Sequence, residues 1–120
     1  MSILLDHMTV YTHDKLAAAD FYERVFGAKR EELRRDFAPV QVSEGFTLNL
    51  EEAETFQRGH YAFRVAAAEF TSIRERLQEA GIPYGSQSRT LDGQVYARAG
   101  VQGFYFSDPS GHGLEVITRE

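Results

Sequence analysis

The spacing of hydrophobic residues changes from a period of two to one near 3.6, and the change happens twice along the chain. Leu4 to Thr12 (LLDHMTVYT) is rich in β-formers with partial alternation, which predicts a strand. Asp14 then offers a helix N-cap, and Leu16, Phe21 and Val25 fall on one side of a helix running to Phe26. Gly27 stands where a helix C-terminal glycine belongs. Val40–Val42 and Phe46–Glu51 predict two short strands around a Ser43-Glu44-Gly45 turn, followed by a polar connection from Glu52 to Gly59. The pattern then begins again. His60 to Val65 predicts a strand, and Phe70, Ile73, Leu77 and Ala80 recur at helical spacing within Ala67–Ala80. Gly81 ends that helix and Pro83 prevents its continuation. A short strand is expected near Tyr84–Ser86. The polar, glycine-containing stretch Ser88–Gly100 reads as a mobile loop that could close as a lid or merely connect strands. Val101–Ser107 and Leu114–Thr118 complete the pattern as strands around an Asp108-Pro109-Ser110-Gly111 turn.

The order is therefore βαβββ, twice. The histidines that lead the first strand of each half, His7 and His60, lie 53 residues apart, and the helix-ending glycines 54. Identity between the halves is poor, so the repeat rests on element order. A half-buried sheet needs a partner, and pairing two such units builds a shared curved sheet. The expected fold is α+β. It is one domain over 1–120, with βαβββ modules at about 1–53 and 54–120, a curved mixed sheet forming a cup, and helices on the outer face. A chain of 120 residues with 42% hydrophobic and 26% charged residues can hold a core of this kind.

Charge and cysteine content narrow the function. The net charge is −5 and no basic stripe is present, which argues against nucleic acid as a partner. The mixed run Lys29–Asp36 (KREELRRD) reads as a solvated edge strand or loop. With no cysteine, disulfides, thiolate metal sites and a cysteine nucleophile are excluded. No apolar run of about 18 residues occurs, so no membrane span is expected. The start MSILLDH lacks the features of a signal peptide, so the expected location is cytoplasmic.

Strand parity assigns faces. Met8 and Val10 pack inward and leave His7, Thr9 and Tyr11 on the other side. Phe46, Leu48 and Leu50 leave Thr47, Asn49 and Glu51. Tyr61, Phe63 and Val65 leave His60, Ala62 and Arg64, while Leu114 and Val116 leave Glu115 and Ile117. His7, Asn49, His60 and Glu115 are thus expected on the open face of the cup. Two imidazoles and one carboxylate on such a face suit a divalent metal, Fe, Mn, Ni, Zn or Co, with positions left for water or a substrate chelated through two oxygens. The bland alternative is a set of structural or surface residues.

Three segments carry a resemblance: Leu5 to Lys29 (LDHMTVYTHDKLAAADFYERVFGAK), HYAFRV from His60, and FYFSDPSGHGLE from Phe104 to Glu115. Together they resemble the vicinal oxygen chelate superfamily of glyoxalases, bleomycin-resistance proteins and extradiol dioxygenases. The last segment matches its closing DPxGxxxE signature. The resemblance implies that His7, His60 and Glu115 are metal ligands. Glyoxalases have a fourth ligand, a Glu on the fourth strand, and this falls on Asn49. Glu51 has the same facing and could serve only with a register slip. Fosfomycin-resistance thiol transferases resemble the chain in HYAF and the closing segment. Thr9 matches their phosphonate-contacting Thr and Tyr105 their active-site Tyr; their phosphonate-holding basic loop has no clean counterpart, although Arg89 and Arg98 lie in the longer loop here. Extradiol dioxygenases share Tyr105 and Glu115 at the same spacing.

The resemblance leaves two readings. One is a metal-dependent enzyme of lyase, isomerase, thiol-transferase or dioxygenase type. The other is a metal-free protein that sequesters a drug or antibiotic; such proteins usually lack the trio. In the enzyme, Tyr105 is the catalytic candidate, as hydrogen-bond donor or acid–base, and Thr9, Asn49 and Arg64 are the substrate-binding candidates. Their bland counterparts are a sheet tyrosine, a plain β-former, a sheet-edge amide and a carboxylate partner. His112 reads as a turn residue. By family analogy the partners are a small-molecule substrate and a second copy of the chain, as a homodimer.

Overall fold

Asp14 starts the first helix as the sequence requires. Its carboxylate accepts hydrogen bonds from the Leu16 and Ala17 N–H groups, and Gly27 closes the helix in the left-handed region at φ 70°. Such a cap is worth about 1 kcal/mol. The computed structural model describes residues 2–119 and gives the order β1 (His7–Thr12), α1 (Lys15–Phe26), β2 (Lys29–Arg30), β3 (Phe37–Ser43), β4 (Phe46–Glu52), β5 (His60–Arg64), α2 (Ala67–Ala80), β6 (Tyr96–Arg98), β7 (Val101–Ser107) and β8 (Gly113–Arg119). This is the expected α+β alternation, in two compact units, Met1–Gln57 and Arg58–Glu120. The boundary falls four residues beyond the expected one.

The hydrogen-bonded strands form two four-stranded mixed sheets, one in each unit, in the orders β1-β4-β3-β2 and β5-β8-β7-β6. In the first unit β1 runs parallel to β4, and β3 is antiparallel to it. Helix α1 packs on this sheet against β3 and β4. Its Tyr22 and Val25 are buried, as are Val10, Val40, Leu48 and Leu50 on the strands. The basic–acidic run after Gly27 contributes only the two-residue edge strand β2, both residues exposed.

The second unit repeats the plan. β5 runs parallel to β8, and β7 is antiparallel to it. Helix α2 keeps the expected bounds without a side-chain cap, ends at Gly81, and buries Phe70, Ile73 and Leu77. Phe104, Phe106, Leu114 and Val116 complete this core.

One expected element is displaced. Tyr84–Ser86 makes a single bridge, Gly85 to Tyr105, and no strand. The edge strand is β6, inside the stretch expected as a loop. Alternation over three residues is too short to mark a strand, but Ala99 and Gly100 both have positive φ, 49° and 78°. That is the backbone a tight two-residue hairpin needs, and it folds Tyr96–Arg98 onto β7. Among the described residues, no helix is long and apolar enough to cross a membrane.

Candidate metal centre

Each sheet buries one face and leaves the other open, with the parity read from the sequence. Along β1 the even positions are covered and His7, Thr9 and Tyr11 are exposed. Register places His7 opposite Thr47, Thr9 opposite Asn49, and Tyr11 opposite Glu51. His7 donates from Nδ1 to Asp6 Oδ2 at 2.8 Å, which leaves the Nε2 lone pair pointing away from the carboxylate. His7, Thr47, Asn49 and the Glu31–Arg34 segment line a groove of about 450 Å³ on this face.

The second unit's open face is more closely built. His60 Nε2 lies 3.2 Å from Glu115 Oε1. Glu115 is only 15% exposed at its side chain, while His60 is half-exposed. Register puts Glu115 between Ala62 on β5 and Tyr105 on β7. The Tyr105 ring lies 6.2 Å from the His60 ring. Its hydroxyl interacts with the Glu115 carboxylate and with Arg98. Burial, and then the hydrogen bond and negative charge of Glu115, push the Tyr105 hydroxyl above its ordinary range, with Arg98 opposing. Tyr105 is therefore a neutral donor here. Arg64 is exposed, opposite Ile117 at the far end of β5.

The two units share one register at the position expected for the fourth carboxylate. In the second, Glu115 pairs with the residue two after His60; in the first, Asn49 pairs with the residue two after His7. Asn49 is thus the internal counterpart of Glu115. Glu51 stands two residues beyond that position, opposite Tyr11.

Two ligand atoms about 2.0–2.2 Å from one metal, at angles of about 90–110°, lie roughly 3.0–3.5 Å apart. The His60–Glu115 separation of 3.2 Å fits, and imidazole with carboxylate suits the middle transition metals. The structure brings His60, Glu115 and Tyr105 together on one sheet face, and His7, Thr9 and Asn49 on one face of the other sheet. Among the described residues, no three His, Cys, Asp or Glu side chains group as a metal cluster.

Sequence reading missed Tyr96. Its hydroxyl donates to Glu115 Oε2 at 2.6 Å. Burial first, then that bond, raise its pKa. The signal that was available is Gly103, a lone glycine inside a strand, which marks close approach of another group. His112 is a turn residue, as expected, but a fully buried one.

Comparison with known proteins places the chain. Residues 4–116 match the model of the Glyoxalase/Bleomycin resistance protein/Dioxygenase superfamily. Among solved structures, Oxidase ChaP-H2 is similar at a TM-score of 0.89 and 33% identity, over 100% of this chain and 96% of that one. Glutathione transferase FosA of Serratia marcescens is 26% identical over 93% of this chain and 78% of its own length. Metallothiol transferase FosB of Lysinibacillus sphaericus (strain C3-41) is 27% identical over 95% of this chain and 81% of its own.

Proposed function

The chain belongs to the glyoxalase/bleomycin resistance protein/dioxygenase superfamily, and on that premise we propose that it is a metal-dependent enzyme for a small molecule held through two oxygens, with His7, His60 and Glu115 as ligands of one divalent ion. The observation that carries this reading is the 3.2 Å approach of His60 Nε2 to Glu115 Oε1 on an open sheet face. The ion, when bound, supplies Lewis-acid charge at a substrate oxygen. The protein's own groups do the rest. Asp6 holds the His7 ring with Nε2 free to ligate. Tyr105, whose hydroxyl bonds Glu115, would redirect that donor to a substrate oxygen beside the carboxylate, and Thr9, Asn49 and Arg64 would contact the remainder of the substrate. The names of the relatives divide between thiol transfer and oxidation. Both chemistries suit an ion with open positions.

The reading includes a homodimer. Ile3, Leu4 and Leu5 are each at least 70% exposed ahead of β1, an apolar strip that a second copy would cover.

Elemental analysis of untagged protein tests the assignment, with His60→Ala as the control. The expected result is about one equivalent of divalent metal per chain, lost in the variant. Iron would direct the substrate search to oxygen chemistry; nickel, zinc, manganese or cobalt would direct it to lyase, isomerase or transferase chemistry. No metal after incubation with excess ions refutes the ligand set and favours ligand sequestration.

A further inference from the structure

The two oxygens of Glu115 are engaged differently. Oε1 faces His60, Oε2 accepts the Tyr96 hydroxyl, and the Tyr105 hydroxyl also bonds this carboxylate. Tyr96 sits on β6, two strands away from Glu115 in the sheet, and reaches it across β7. Register explains how: Tyr96 pairs with Gly103, and Gly103 pairs with Ile117 beside Glu115. The ring covers Gly103: a Cβ added there would overlap the Tyr96 hydroxyl oxygen and Cζ. Gly103 is not one of the glycines with positive φ. Its backbone would accept any residue, so the ring is what requires glycine. The Arg98 guanidinium lies 4.8 Å from the centroid of the same ring and stacks on it. The first module has nothing equivalent, because Phe37, opposite Glu51, takes the place of Gly103.

We propose that Tyr96 is a positioning residue for Glu115. Its O–H occupies Oε2 and turns Oε1 toward His60, so that the carboxylate would offer a metal one oxygen. The inference rests on the proposed ligand set. A ligating carboxylate that is held in this way binds metal more tightly, and loss of such a partner typically weakens affinity about 10–100-fold. Tyr96→Phe keeps the ring on Gly103 and under Arg98 and removes only the hydroxyl.

The test is Co(II) binding to the full-length chain, by chelator competition and by the visible d–d spectrum. Tyr96→Phe, Gly103→Ala, the double variant and Glu115→Gln are compared. Tyr96→Phe should weaken affinity about 10–100-fold and alter the spectrum. Gly103→Ala should do the same by displacing the ring, and the double variant should be no worse than either single. Glu115→Gln should lose binding. Wild-type affinity and spectrum in Tyr96→Phe, beside loss in Glu115→Gln, overturn the positioning role and leave the ligand set standing. A lower melting temperature of the metal-free variant with unchanged affinity and spectrum has the same meaning, because it shows a purely structural tyrosine. Absence of Co(II) binding by the wild type overturns the ligand set, and the positioning role with it.

Discussion

Replacing His112 by alanine removes a buried link between the residue before His60 and the turn before Glu115. The ring is 1% exposed, its Nδ1 accepts the Gly59 N–H at 2.8 Å, and it lies 5.5 Å from the Tyr61 ring. Because a backbone N–H can only donate, Nδ1 is the unprotonated nitrogen of this imidazole. Alanine leaves a void of roughly 60–70 Å³, and at about 24 cal/mol per Å³ this costs about 1.5 kcal/mol. It also orphans the Gly59 N–H. A fully buried unpaired donor costs about 1–3 kcal/mol, and at half-buried Gly59 the lower end, about 1 kcal/mol, applies. The backbone bond from the Gly113 N–H to the Gly59 carbonyl survives. The sum is about 2.5 kcal/mol, a large share of the roughly 5–15 kcal/mol that holds a domain together. Urea denaturation followed by circular dichroism should show the midpoint falling by about 1–2 M. His112→Asn restores an acceptor at the Nδ1 position but not the ring, and should recover about 1 kcal/mol of the loss. A His112→Ala loss under about 0.5 kcal/mol, or an asparagine no better than alanine, would refute the bond and packing argument.

Two other perturbations bear on the segment that carries Tyr96. Ala99→Asn should stabilise the protein by about 0.5–1 kcal/mol, because Ala99 pays for φ 49° with a Cβ and asparagine tolerates that region; an unchanged or lower melting temperature would count against the strained hairpin. Asp92 is held below its ordinary value of 3.8 by the N–H and hydroxyl of Ser86, and further by the Gln94 N–H. With a lowered folded pKa, the carboxylate stabilises this loop above the unfolded value, and the contribution is lost as pH falls through the folded one. The Ser86 and Gln94 amide resonances should therefore move together on acidification below the ordinary carboxylate range, and not in Asp92→Asn; amides that stay still in the wild type would refute the anchor.

Both helices were legible because their signals are local. Asp14, Gly27 and Gly81 act within one turn of chain, and the apolar spacing of Phe70, Ile73 and Leu77 survives unaltered into the core. The open face was legible because strand parity is a property of the backbone: the exposed alternation of His7, Thr9 and Tyr11 is the one predicted. The sixth strand was not. Tyr84–Ser86 and Tyr96–Arg98 each offer a single β-former, so propensity does not separate them, while β6 is created by a hairpin at Ala99-Gly100 that only a positive φ reveals. Tyr96 was hidden for a related reason. Its partner Glu115 is 19 residues away and lies across an intervening strand, a relation that no periodicity encodes.

The register equivalence of Asn49 and Glu115 has a consequence for charge. Two modules of one plan offer the same backbone position to a ligand, once as an amide and once as a carboxylate. A second carboxylate at Asn49 would complete a set of two imidazoles and two carboxylates, neutral overall around a dication. With asparagine, the proposed set of His7, His60 and Glu115 leaves one positive charge unmatched. That excess would attract an anionic oxygen or one that becomes anionic during reaction, which is where electrostatic stabilisation is most effective. An asparagine at that position would likewise leave coordination positions of the proposed ion open for a substrate held through two oxygens. Tyr96 then acts in the same direction. With its hydroxyl on Oε2, Tyr96 would leave Glu115 a single oxygen to offer the proposed ion.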